Sequence, residues 1–268
     1  MGIRHMAFAA ALAAALSATL VAQQAPTGYH SISCVRVKPG QTAAFHTLLN
    51  GDYHKVEQAR VDSGAVSGFI ALRTVIPAGT DAGCDYVLVA FYPGFPPAPL
   101  GDDEMTAVLQ KAGVTSTLPE WRDRLSAVAD LVSNNYTQYQ VLVGGSKKGD
   151  YLVFNSMKAA DVNECVAAQK RLWQPFAEQG VKDGAQDGWA VNIQVMPRGD
   201  KDPSLVSSVD IFPTWNSMFT YFGPDFTARW KKVHPEMTPD EAFSEMDKAC
   251  TIEHTVLYKI EDQINSSK

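Results

Sequence analysis

The sequence predicts an α+β fold made of two tandem copies of a β-α-β-β-α-β unit. Three observations carry that reading. First, a shift of 120 positions lays the second half on the first without a gap. It brings Gly64 onto Gly184, Gly68 onto Gly188, Val75 onto Val195, Pro77 onto Pro197 and Pro93 onto Pro213. Matches concentrated at Gly and Pro mark shared turns, and so long a period indicates a duplicated domain, not a solenoid. Second, aromatic falls on aromatic: Tyr53 on Trp173, Phe69 on Trp189 and Phe95 on Trp215. Third, each copy passes through strand-like and helix-like spacing in the same order.

In the first copy, residues 29–37 (YHSISCVRV) read as a strand closed by Lys38-Pro39-Gly40. From 41 to 61 the apolar positions Phe45, Leu48, Leu49, Tyr53 and Val56 keep the three- and four-residue spacing of a helix. Gly64 is placed to stop it. Residues 69–76 and 85–92 read as strands, 102–112 and 119–131 as helices, and 136–143 as the last strand. Asp102, Asp103 and Glu104 suit the start of a helix. The second copy repeats this with strands at 151–157, 189–196, 205–212 and 255–260 and helices at 160–181 and 239–250. Thr238 is the expected N-cap of the latter, with Asp240 and Glu241 in the first turn. The β-α-β-β-α-β order is the ferredoxin-like unit. The expected division is a signal peptide at 1–24, one unit at 28–143, a linker at 144–149 and a second unit at 150–262.

Composition narrows the partners. Arg4 and His5 precede an unbroken run of apolar and small residues at 6–21. That is the layout of a secretory signal, and the run is short of the ~20 residues a membrane span needs. An exported protein is expected, periplasmic or extracellular, with no transmembrane segment after cleavage. The formal net charge of −6 argues against a nucleic-acid partner. Four cysteines follow the leader: Cys34, Cys84, Cys165 and Cys250. Exported chains keep disulfides. In a ferredoxin-like unit the first and third strands are neighbours, and the start of the long helix lies near the end of the second. That favours pairing within halves, Cys34 with Cys84 and Cys165 with Cys250. Four buried free thiols are the alternative.

Motifs with chemistry are scarce. There is no H-E-x-x-H, G-x-S-x-G or two-carboxylate signature, no C-x-x-C, and the linker GGSKKGD lacks P-loop spacing. No metal site is indicated. His54 suits a general base or a haem ligand, although its counterpart is Gln174 and a solvated helix face explains it as well. Arg36 and Arg73 sit within predicted strands, where an arginine needs a partner or a wet cavity. Tyr86 and Tyr139 are placed to help line one. Asn155, Asn192, Gln194 and Asp210 hold corresponding strands of the second half. A polar pocket and a solvent-facing sheet both account for them. Candidate ligand-binding residues are therefore His54, Arg73, Tyr86 and Arg36, around a pocket between sheet and helices.

Val37-Lys38-Pro39-Gly40, Gly64-x-x-x-Gly68-Phe69, Pro77-x-Gly79 and the strand from Asp85-Tyr86-Val87 together resemble the dimeric α+β barrel superfamily. The likeness is to its NIPSNAP and antibiotic-biosynthesis-monooxygenase type. The resemblance implies that the two antiparallel sheets of this chain pair as one barrel with helices outside. It is compatible with a further homodimer. Members include cofactor-free oxygenases and haem-linked enzymes, and haem enters through the resemblance alone. Fold does not fix function. Three readings therefore stand: a small-molecule binder, a cofactor-free or haem-linked monooxygenase-like enzyme, and a non-catalytic interaction protein.

Overall fold

The computed structural model describes residues 28–79, 82–198 and 205–266. The predicted signal peptide at 1–24 lies outside the described residues. The first half runs β1 (Tyr29–Val37), α1 (Thr42–Leu48), a π-helical turn (Leu49–Tyr53), α2 (His54–Asp62), β2 (Gly68–Ile76), β3 (Tyr86–Tyr92), α3 (Asp102–Lys111), α4 (Leu118–Val128) and β4 (Ala129–Gly144). The second runs β5 (Tyr151–Ala159), α5 (Val162–Lys182), β6 (Gly188–Met196), β7 (Val206–Phe212), α6 (Trp215–Tyr221), α7 (Phe226–Val233), α8 (Pro239–Ala249) and β8 (Cys250–Asn265).

The eight strands close into one antiparallel barrel in the order β1-β3-β2-β8-β5-β7-β6-β4. Each half contributes a four-stranded sheet, and two seams join them. At one seam β2 pairs with β8, with Phe69 opposite Ile264. At the other β4 pairs with β6, with Tyr139 opposite Asn192. Closure leaves the sheet no open edge. Helices cover the outside, over one apolar core per half. Phe45, Leu48, Phe69 and Trp121 centre the first, and Leu172, Phe176, Trp189 and Trp230 the second. Trp173, Trp189 and Trp230 thus serve packing inside the second core or against it, whereas Trp215 is exposed and lies edge-on to Tyr151 and Phe219.

The repeated turn residues have two different jobs. Gly64 and Gly184 take φ of 76° and 70°, the left-handed conformation that ends a helix without a Cβ penalty. Gly68 and Gly188 stand at the two seams. A Cβ at Gly68 would meet the Ile264 carbonyl oxygen at 3.1 Å, and one at Gly188 would meet that of Gly145 at 2.5 Å. Threonine caps repeat too: Thr117 and Thr238 accept from the amides of Glu120 and Glu241, whose carboxylates answer the threonine amides. Disulfides join Cys34 to Cys84 and Cys165 to Cys250, with Cα separations of 5.3 and 5.4 Å.

Several elements depart from expectation, among them α6 and α7, helices that the sequence reading does not place. The long helix of the first half is broken by the π turn, where Gly51 leaves helical geometry at φ −106° and ψ −108°. The helix expected to run to 131 stops at Val128, because Ala129, Asp130 and Leu131 pair with Val37, Arg36 and Val35 of β1. Likewise β8 begins at Cys250, where Ala159 of β5 receives it. Long-range pairing overrides local helical spacing at both points.

Candidate functional site

Strand alternation sends every second side chain into the barrel. Phe69 and Ala71 of β2 face the helices, whereas Gly68, Ile70 and Leu72 face the lumen. An eight-stranded barrel is just wide enough for its side chains to fill. Here many inward positions are small: Gly68, Ala190, Ser133, Ser156 and Ser207. They leave a cavity of about 790 Å³ within the barrel. The pocket expected between sheet and helices is therefore replaced by one on the opposite face of the sheet. The helix side is occupied by the two cores described above.

The lumen has two chemically distinct walls. Ile70, Leu72, Val87, Val89, Leu152 and Tyr258, from β2, β3, β5 and β8, form a third apolar cluster. Across from it, β1, β4 and β6 present His30, Asn135, Thr137, Tyr139, Asn192 and Gln194. These polar residues are neighbours by register: His30 lies opposite Thr137, Thr137 opposite Gln194, and Tyr139 opposite Asn192. No Asp, Glu, Lys or Arg lines the lumen among the described residues.

Four polar atoms in this lining have no hydrogen-bond partner: His30 Nδ1, Thr137 Oγ1, Asn192 Oδ1 and Gln263 Oε1. Buried polar groups are nearly always paired, so each orphan calls for an explanation. His30, Thr137 and Asn192 are 3%, 5% and 3% exposed. Gln263 is anchored through its Nε2, which donates to the Ser146 carbonyl and to Asn265 Oδ1, so its free atom is an acceptor. The His30 ring packs against Tyr139 at 4.5 Å and against Phe91 at 5.7 Å between centroids. Burial lowers its pKa to about 4, which keeps the imidazole neutral. Burial also holds the Tyr139 phenol above its usual range.

The four residues expected to bind ligand lie elsewhere and are already engaged. Arg73 and Tyr86 are cross-strand partners on the helix-facing side. Arg73 Nε donates to Glu261 at 2.6 Å, and the Tyr86 hydroxyl pairs with His46 Nε2. Burial pushes Tyr86 up to about 12. His54 Nδ1 meets the buried Asp262 carboxylate at 2.6 Å. Arg36 donates to the carbonyls of Ala82 and Gly83 at 2.5 and 2.7 Å. His54, Arg73 and Tyr86 thus share one side of the sheet without converging on a cavity. Of the polar strand residues read from the sequence, Tyr139, Asn192 and Gln194 face the lumen. Asn155 bonds to Ser208 and Thr255, and burial pushes Asp210 up to about 7. His30 and Thr137 carry no sequence signal beyond their places in predicted strands.

No cluster of three His, Cys, Asp or Glu side chains able to hold a metal ion occurs among the described residues. Haem is poorly matched by the lumen. Its carboxylates would find no cation there, and His30 is the one imidazole in the lining among the described residues.

No protein-family model matches the sequence, and a search of curated proteins finds no match. Solved structures do resemble the fold. A "putative monooxygenase" of Fusobacterium nucleatum aligns with a TM-score of 0.56 and 8% identity, over 89% of this chain and 94% of that one. One from Lactobacillus acidophilus gives 0.56 and 6%, over 90% and 97%. An "anthrone oxidase-like protein" gives 0.51 and 11%, over 91% and 95%. The shared object is the dimeric α+β barrel fold, closed here by a single chain.

Proposed function

We propose that this is an exported protein whose barrel lumen binds a largely apolar small molecule. The observation that carries the reading is the lumen, about 790 Å³ of space lined by no charged side chain among the described residues. Ligand cavities span roughly 300–1,000 Å³, with mostly apolar walls and a few placed polar groups. Export is supported by the basic start and apolar run at 6–21. The two disulfides agree with an oxidising compartment. Closure within one chain means that a homodimer is not needed to complete the site.

Titration of the mature protein with N-phenylnaphthylamine, read by dye fluorescence, tests the reading. Saturable binding is expected. Ala190→Trp, which fills the lumen from β6, should abolish it, and His54→Ala should leave it unchanged. Dye binding that is absent, or indifferent to Ala190→Trp, would refute lumen binding.

A second reading, cofactor-free monooxygenase chemistry, is favoured by His30. Its imidazole stays neutral and would orient an enolisable ligand by hydrogen bonding; a pKa lowered to about 4 makes it a weak proton acceptor, so in this reading it is a positioning group. The names of the structural neighbours agree with it. Placement nearer the NIPSNAP or antibiotic-biosynthesis type rests on the turn and strand cues of the sequence. Anthrone with dioxygen gives anthraquinone and water. Turnover that disappears in His30→Phe would support this reading, and unchanged absorbance would leave binding alone.

A further inference from the structure

We infer that the lumen is built for an uncharged, facially amphipathic molecule, apolar along one side and bearing hydroxyl groups along the other. This rests on the reading of the lumen as a ligand site and narrows it to a chemical class. Three observations converge.

The first is the segregation of the walls. β2, β3 and β5 supply mainly aliphatic and aromatic side chains, β4 and β6 with His30 of β1 supply an imidazole, a hydroxyl, a phenol and amides, and β8 supplies Tyr258 together with the amides of Gln263 and Asn265 near one end. A ligand that was apolar all round would strand the polar wall. One that was polar all round would forfeit the apolar wall.

The second is the sense of the unpaired atoms. Asn192 Oδ1 and Gln263 Oε1 are acceptors, and His30 Nδ1 and Thr137 Oγ1 are able to accept. Gln263 cannot reverse its amide without losing both of its donor bonds, to Ser146 and Asn265. These atoms are sealed from solvent as the side chains stand, so pairing with a ligand requires a side-chain rotation, and the ligand group that then pairs with them is a hydrogen-bond donor. A hydroxyl supplies one without carrying charge.

The third is the absence of charged side chains from the lining among the described residues. A carboxylate or ammonium entering the lumen would lose its hydration and gain no counter-charge. The neutrality of His30 removes the remaining candidate cation.

Three steroid probes separate these demands: methyl cholate, neutral with hydroxyls on one face; methyl cholanate, neutral without hydroxyls; and cholate, charged. Binding is measured on the mature protein by displacement of N-phenylnaphthylamine and by calorimetry. Methyl cholate should bind at least tenfold tighter than either relative, and Ala190→Trp should abolish its binding. Thr137→Val and Asn192→Leu should shrink the preference over methyl cholanate toward unity. The same variants should raise the thermal midpoint of the ligand-free protein, because each removes an unpaired buried polar atom. A merely structural role for these side chains would lower that midpoint and leave the preference intact. Dye binding in the lumen with equal affinity for all three steroids, or with no steroid bound, overturns the inference and spares the lumen reading. Failure of the dye itself overturns both.

Discussion

His30 shows how one side chain can set the behaviour of the site. It is buried in the lumen wall between Tyr139 and Phe91, and burial alone lowers its pKa from 6.5 to about 4. The unfolded chain therefore binds the extra proton between those values while the folded chain does not. Stability from this residue is fully present above pH 6.5 and declines as pH falls toward 4. Its full size is about 3 kcal/mol. Asp210, raised to about 7 by burial, acts in the opposite sense over much of the same range. The informative quantity is thus the difference between parent and variant. Denaturant unfolding of His30→Phe at several pH values should show less acid loss than the parent between pH 6.5 and 4. A pH-independent difference would mean that His30 is not neutral in the fold. None of this is legible in the strand YHSISCVRV. Alternation puts His30, Ile32 and Cys34 on one face, but which face looks inward depends on closure by strands about 100 residues away. His54 is conspicuous in the sequence because it stands beside helical apolar positions. Its partner Asp262 lies across a seam that no local pattern announces.

At the scale of the element, the two kinds of repeated glycine make separable predictions. Gly64 ends α2 in the left-handed region, and nothing lies within 4 Å of the place a Cβ would occupy, so Gly64→Ala meets backbone strain only. A loss of about 1 kcal/mol is expected. Gly188 has ordinary φ but faces the Gly145 carbonyl oxygen at 2.5 Å from its would-be Cβ. Gly188→Ala must push the linker off β6, at about 1–3 kcal/mol. Chemical denaturation distinguishes the two if the ligand-binding assay is run beside it. Gly64→Ala should leave dye affinity unchanged. Gly188→Ala should weaken it, because Gly145 and Ser146 lie at the lumen edge and Gln263 is held by Ser146. Equal affinity for both variants would mean that linker position and lumen shape are uncoupled. The helix stop at Gly64 can be read from the sequence because it is local chemistry. The seam role of Gly188 cannot, since it depends on where β4 continues past residue 143.

For the whole molecule, closure decides how it unfolds. Two ferredoxin-like halves with their own helical cores suggest two independent transitions. The lumen argues otherwise. Its apolar wall is one cluster drawn from both halves, with Ile70, Leu72, Val87 and Val89 from the first and Leu152, Ile211 and Tyr258 from the second. Neither half buries that wall alone, and each would expose two strand edges at the seams. The linker is tied in as well: Gly149 donates to the Ile260 carbonyl, and Ile260 donates to that of Asp150. The disulfides, by contrast, stay within halves and span separations of 50 and 85 residues. Each constrains the unfolded chain by about 4 kcal/mol in the loop-entropy account. Calorimetry should therefore record a single transition for the oxidised protein. Reduction should move that transition to lower temperature as a whole. A lumen ligand should raise it as a whole, since the ligand touches strands of both sheets. Two resolved peaks, with only one moved by ligand, would mean that the halves are stable apart and that the barrel is a docking of finished domains.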